Sequence, residues 1–218
     1  MTTLQNRLPL ESFRKSARRF RRRSICFPKN TNKNSNIKKN SEKITMQRTT
    51  GNIIADSLES AVSYADRLVQ EIPHLEAARF ARPGGQTVSS NHPCFTFGHL
   101  SLYPPKVLSQ LNQASLPIPA GFEKLFDKTA TCQDDPNHTI YPSFDEVLAF
   151  FSASHKKLID TLRITPNDAF EQPNPAEGPL AKRFPTLSSV HAFYCGGHIM
   201  SHLGQLSTWR RMQGLPPA

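Results

Sequence analysis

Residues 186–214 read TLSSVHAFYCGGHIMSHLGQLSTWRRMQG, and this stretch decides the fold class. Thr186 can cap a helix, because its hydroxyl accepts a free first-turn amide, and Gly214 is a left-handed stop ahead of Pro216. No proline interrupts the span between them. Arg210 and Arg211 sit where cations complement the helix dipole, and Ile199, Leu203 and Leu206 mark an apolar face. The pattern predicts one long helix running from the Thr186 cap to Gln213.

Working outward, three more helices are expected. Ile54, Leu58, Ala61, Ala65, Leu68 and Ile72 recur at spacings of four and three, the stripe of an amphipathic helix that Pro73 ends. Ser90 or Asn91 can cap a second helix with Pro93 in its first turn, carrying Phe95, His99 and Leu102. Pro104 and Pro105 should kink or restart it, after which Val107, Leu108 and Leu111 resume the stripe. Ser143-Phe144-Asp145-Glu146 reads as a capping box for a third long helix, with Val147, Phe151, Leu158 and Leu162 buried. Residues 112–142, with a short helical turn at 122–128, and the proline-rich 166–185 are long connections. With no strand pattern, the fold class expected is all-α: a four-helix bundle with long loops between helices and a disordered basic N-terminal tail.

The tail is a matter of charge. The chain of 218 residues carries +10, but fourteen of its 27 Lys and Arg and only Glu11 and Glu42 of its 17 acidic residues fall in residues 1–48. The remainder holds 13 basic against 15 acidic residues, so residues 49–218 have no global attraction for phosphate, and nucleic acid is a partner only through the tail. The run Arg18-Arg19-Phe20-Arg21-Arg22-Arg23 and the Asn, Lys and Ser stretch from Lys29 to Lys43 show no hydrophobic period and read as disordered. Ser24-Ile25-Cys26-Phe27-Pro28 is too short for the apolar core of a twin-arginine export signal. The Arg-rich, acid-poor start also resembles a transit peptide or a nucleic-acid arm, and the preferred reading is a true start at Met46 with the tail a mis-called extension. The domains expected are therefore the tail, 1–48, and the bundle, 49–218.

Cys26, Cys94, Cys132 and Cys195 are widely spaced and form no Cys-x-x-Cys pair, which points to a reduced cytoplasmic setting. Cys94 and Cys195 read as packing residues. No run of about 18 apolar residues exists, so no membrane span is expected.

The chemistry lies in histidine. His198 and His202 are four apart, so their side chains leave one helix face about 40° apart and can share one metal ion. Eight histidines would give such a pair by accident with an expectation of about 0.3, so spacing alone is weak. The apolar neighbours Ile199, Leu203 and Leu206 turn the pair inward, where buried rings need partners and a metal is an efficient one. Gly196 and Gly197 each cost about 1 kcal/mol in a helix interior, which fits space kept clear beside the site or close helix packing. Ile199 occupies the place where a His-Glu-x-x-His metalloprotease helix needs its Glu, so that reading fails. His99, in an otherwise apolar turn, is the best third ligand. His191, seven residues before His198, is an outer partner to the ligands, an extra ligand, or a capping or surface residue.

At Asn91-His92-Pro93-Cys94-Phe95-Thr96-Phe97-Gly98-His99-Leu100, and at His198-Ile199-Met200-Ser201-His202-Leu203-Gly204-Gln205-Leu206 with Trp209-Arg210-Arg211, the chain resembles the DinB-like family of damage-inducible bacterial proteins. The resemblance covers roughly residues 53–218. It implies a four-helix bundle with a three-histidine metal site, its ligands falling on His99, His198 and His202. Many members carry Trp, Glu and Arg where this chain has Phe95, Ile199 and Leu203, which removes any role for that Glu.

Three neutral imidazoles leave an open coordination position, the arrangement of a catalytic zinc site. An open ion lowers the pKa of water or holds a thiol as thiolate. The resemblance implies much the same, since some members transfer low-molecular-weight thiols and others are metal-dependent hydrolases. The leading expectation is a metal-dependent enzyme of thiol-transfer or hydrolytic type, its partner a small thiol or electrophile. The alternative is a non-enzymatic stress-related or scaffold bundle that binds a metal or small molecule without turnover. Imidazole accepts zinc, nickel, iron and manganese, zinc or nickel foremost. An exposed Trp209 with the terminal apolar residues would suit a homodimer, and packing on the first helix would explain them equally.

Overall fold

A computed structural model describes residues 48–218, and the expectations for the basic tail and for Met46 fall on residues outside them. The described chain is all-α; two isolated bridges, Ala81 with Val88 and Pro173 with Thr186, are its only extended pairings. Helix α1 spans Thr50–Val69 and begins where Thr49 Oγ1 accepts the Asn52 amide at 3.1 Å. Its expected stripe, from Ile54 through Leu68, is buried, and Ile72 follows it into the core.

Helix α2, Pro93–Ser101, is buried along its whole length. Its cap is His92, not Ser90 or Asn91: His92 Nδ1 accepts the Phe95 amide at 3.1 Å, while Nε2 donates to the Gln133 carbonyl at 2.9 Å. Sequence propensity favours short oxygen-bearing caps, and the bond from the buried His92 ring to the Gln133 carbonyl overrides it. Helix α3, Tyr103–Gln110, restarts with Pro104 and Pro105 in its first turn, where missing amides cost nothing. Helix α4, Phe122–Phe126, is the short turn expected within 112–142. Helix α5, Phe144–Ile164, buries Val147, Phe151, Leu158 and Leu162 as expected, and His155 with them. Only one arm of its capping box forms, Ser143 Oγ accepting the Glu146 amide at 3.2 Å.

After helix α6, Pro179–Arg183, the last helical stretch is not one regular helix. Helix α7, Leu187–Ala192, starts at a Thr186 capping box with Ser189. Residues Phe193–His198 then widen into a π-helical segment, and helix α8, Ile199–Met212, completes the stretch. Such wide turns are uncommon and often mark functional sites. The expectation of uninterrupted α-helix fails because one extra residue per turn leaves the apolar pattern on either side intact. Gly196 lets the segment approach α1: a Cβ there would stand 3.0 Å from Ser57 Oγ. Close packing, not a cleared cavity, accounts for that glycine.

Helix α5 runs antiparallel to α1, with Arg163 reaching Asp56 and Glu59, and α2 packs between α5 and α8. Of the two readings of Trp209, packing within the bundle holds, and Arg210 lies in the last turn as expected. Trp209 is fully buried and donates to the Arg79 carbonyl at 2.9 Å, so it offers no dimer surface. Arg210 is also buried, and its guanidinium bonds the carbonyls of Leu68 and Gln70 at the end of α1. It thus serves the C-terminal end of α1 as well as its own, since its guanidinium also bonds the Pro216 carbonyl just past α8. Among the described residues no helix is long and apolar enough to cross a membrane.

Candidate metal centre

His99 approaches the site from near the end of α2, His198 from the last residue of the π-helical segment, and His202 from the first turn of α8. One ring nitrogen from each lies within 4.8 Å of the others. The ring centroids are 4.8 Å apart for His99 and His202, 5.5 Å for His99 and His198, and 4.7 Å for the four-apart pair. The three residues singled out from sequence therefore meet, and they form a group that can hold a metal ion.

Their orientation follows from what the outer nitrogens do. His99 Nδ1 stands 2.8 Å from the Phe126 carbonyl, which can only accept, so Nδ1 carries the proton and Nε2 is left with its lone pair. His202 Nδ1 likewise faces Gln205 Oε1 at 3.2 Å, and Asn91 Nδ2 donates to that same oxygen at 3.2 Å. His202 Nε2 is 3.2 Å from His198 Nε2. Two nitrogens on one tetrahedral ion with bonds of about 2.0–2.1 Å stand about 3.3 Å apart, so the pair is already at ligand spacing. His198 Nδ1 is buried without a hydrogen-bond partner.

The electrostatics favour the neutral, ligating form. Burial drives His198 down to about 3, with the nearby His202, His99 and Lys106 adding to the shift. Burial also lowers His99 and His202, against the opposing pull of the Phe126 carbonyl on one and Gln205 on the other. Packing fixes the rings further. Phe95 stacks parallel to His99, and Tyr103 lies 4.2 Å from the His198 ring centre. Gly98 is a quiet contributor: a Cβ there would stand 2.5 Å from the Phe126 ring, so only glycine lets α4 come close enough for the Phe126 carbonyl to reach His99.

The trio opens on a cleft of about 330 Å³ lined by Asn91, Phe95, Tyr103, Asp127, Lys128 and Ala130. A neighbouring hollow of about 210 Å³ shares His99, Tyr103, Asp127 and Lys128 and adds Lys106. Asp127 is held below the usual carboxylate range by hydrogen bonds from Thr129, whose hydroxyl and amide both reach Oδ1 at 2.6 Å.

His191 lies in helix α7, whose cap is Thr186 with Ser189. It is fully buried, which removes the surface reading, and its Nε2 bonds Gln110 Oε1 at 2.9 Å and not a ligand ring. Cys94 and Cys195 are packing residues as expected; burial pushes both thiols up to about 12 and Cys132 up to about 11, so none is a ready nucleophile. Sequence reasoning did not single out Gln205, Phe126, Tyr103 or Lys106. Gln205 had a signal, since a residue three after His202 lies on the same helix face. The chain matches no protein-family model and no curated protein sequence.

Proposed function

We propose that the protein is a DinB-like four-helix bundle that binds one divalent metal ion, zinc or nickel, through His99, His198 and His202, and uses it to transfer a small thiol. The convergence of one ring nitrogen from each histidine, with the outer nitrogens of His99 and His202 held by hydrogen bonds, carries this reading. The donor set fits a borderline ion: three neutral imidazoles, partly buried, with the paired nitrogens at 3.2 Å. When bound, such an ion supplies Lewis-acid chemistry, stabilising a thiolate or hydroxide at its open position.

The protein's own part is to bind and orient. Phe126 and Gln205 hold the Nδ1 protons of His99 and His202, and the rings of Phe95 and Tyr103 pack against His99 and His198. Thiol transfer is favoured over hydrolysis because hydrolysis calls for a nearby general base. Ile199 and Leu203, beside the paired ligands, are buried and apolar, and the carboxylate lining the cleft, Asp127, is a weak base, held below the usual carboxylate range by its hydrogen bonds from Thr129. A reduced cytoplasmic setting would suit a thiol substrate.

Elemental analysis of untagged full-length protein, with monobromobimane conjugation of small thiols as the activity readout, tests the reading. The expected result is about one metal per chain and metal-dependent conjugation, both lost in His198→Ala and His202→Ala while the helical circular dichroism persists. A wild type still metal-free after titration with zinc and nickel overturns the site, and bound metal without turnover leaves the non-enzymatic alternative.

A further inference from the structure

Lys106 and Lys128 both line the opening beside the histidines. Among the described residues, neither forms an ion pair. Lys106 is nonetheless held in place. Its Nζ donates to the Tyr194 hydroxyl at 3.0 Å and lies 4.9 Å from the Tyr194 ring centre and 5.9 Å from that of Tyr103. The two tyrosine rings pack 5.0 Å apart, and Tyr103 in turn leans on His198. A single aromatic ring thus separates this ammonium from a ligand histidine.

The exposed Lys106 ammonium is thus placed by the Tyr194 hydroxyl and two aromatic rings, with no carboxylate partner, and it keeps donors free for an anion. Surface lysines gain little from fixed geometry and lose side-chain entropy in adopting it. Asp127 lines the same hollow, but its Oδ1 is turned to Thr129 and Ala130. The three charged groups of the hollow leave it net positive.

We propose that this hollow is an anion subsite in which Lys106, with Lys128, binds a carboxylate or sulfonate carried by the thiol substrate, Tyr103 and Tyr194 setting the position of the Lys106 ammonium. This rests on the metal-site reading above and specifies its substrate class. The thiol reaches the three-histidine site while the anionic end lies over Tyr103 against Lys106. A thiol of the same length with a neutral or cationic end loses that contact.

The test uses full-length protein loaded with cobalt(II), whose visible bands report on the metal and whose thiolate charge-transfer band reports on the bound thiol. Three probes share a two-carbon chain and differ in charge: mercaptoethanesulfonate, β-mercaptoethanol and cysteamine; the propane homologue of the sulfonate checks length. Sulfonate chelates metal poorly, so a preference for it reports on the protein. In the wild type a sulfonate probe should bind about ten-fold tighter than β-mercaptoethanol, and cysteamine weakest, the scale of one charge-assisted hydrogen bond. Lys106→Gln should erase the preference, Lys106→Arg should retain most of it, and Tyr194→Phe should reduce it. No preference in the wild type, or one that survives in Lys106→Gln and in Lys128→Gln, overturns the subsite while leaving the metal site standing. Absence of cobalt bands before any thiol is added overturns the metal reading and the subsite with it.

Discussion

Helix α2 carries two histidines seven residues apart, and they come to opposite ends. His92, at its start, is fully buried and has both nitrogens engaged, one by the Phe95 amide and one by the Gln133 carbonyl. His99, two turns on, is nearly as buried, but only Nδ1 is engaged and Nε2 faces His198 and His202. Burial lowers the basicity of both rings. Neither burial nor a depressed pKa therefore marks a ligand. His191 sharpens the point, since its buried Nδ1 has no partner and no second histidine to share an ion with. What distinguishes the candidate metal centre is convergence of three ring nitrogens, two of the rings being oriented by a hydrogen bond on their other side.

The largest expected effect separates the two kinds of histidine by substitution. His92→Ala removes the α2 cap, worth about 1 kcal/mol, and leaves a buried cavity, worth about 2–3 kcal/mol more. Urea denaturation of metal-free protein should show a loss of roughly 3–4 kcal/mol, while the folded fraction keeps its metal. His202→Ala, at a partly exposed ring, should cost under about 1 kcal/mol and abolish metal binding. Equal stability losses in the two variants would erase the distinction.

A pH series probes the structural histidines together. Burial brings the folded-state values of His92, His155 and His191 down to about 4. The unfolded chain titrates near 6.5, so as pH falls it takes up protons before the folded state does. Stability is full above about pH 7 and is lost between about pH 6.5 and 4, by on the order of 3 kcal/mol per ring at the lower end. Denaturation at pH 7 and pH 4.5 should show this slope in the metal-free protein, and His155→Leu should flatten it by about one proton. An unchanged slope in His155→Leu would mean that the ring opens to solvent and is charged in the folded state.

Much of the fold was legible because it depends on local pattern. The α1 stripe, the Thr186 cap, the restart at Pro104 and Pro105, and the buried face of α5 each follow from residues within a few turns of one another. What stayed hidden depends on partners distant in sequence. His92 caps because Gln133 meets it, Arg210 is drawn to the end of α1, and Trp209 is buried by the segment carrying Arg79. The π-helical widening at Phe193–His198 left a trace only in Gly196-Gly197. The histidine trio was readable from helical spacing and from one polar ring in an apolar turn. Its orientation was not, because a backbone carbonyl on a separate short helix and a glutamine on the exposed face supply it.

That glutamine gives the smallest and most discriminating test. Gln205→Ala leaves the fold intact, since the side chain is exposed, but takes away the acceptor for the Nδ1 proton of His202. Loss of such an outer partner weakens metal binding roughly 10–100-fold, measurable by competition with a chromophoric chelator. Gln205→Glu supplies a charged acceptor and should bind the metal at least as tightly as the wild type. Asn91→Ala removes only the hydrogen bond that steadies Gln205 and should cost a few-fold. If Gln205→Ala instead matches the wild type, packing alone orients His202, as it must orient His198, whose buried Nδ1 has no acceptor. The metal centre would then rest on the shape of the π-helical turn and not on the hydrogen bonds around it.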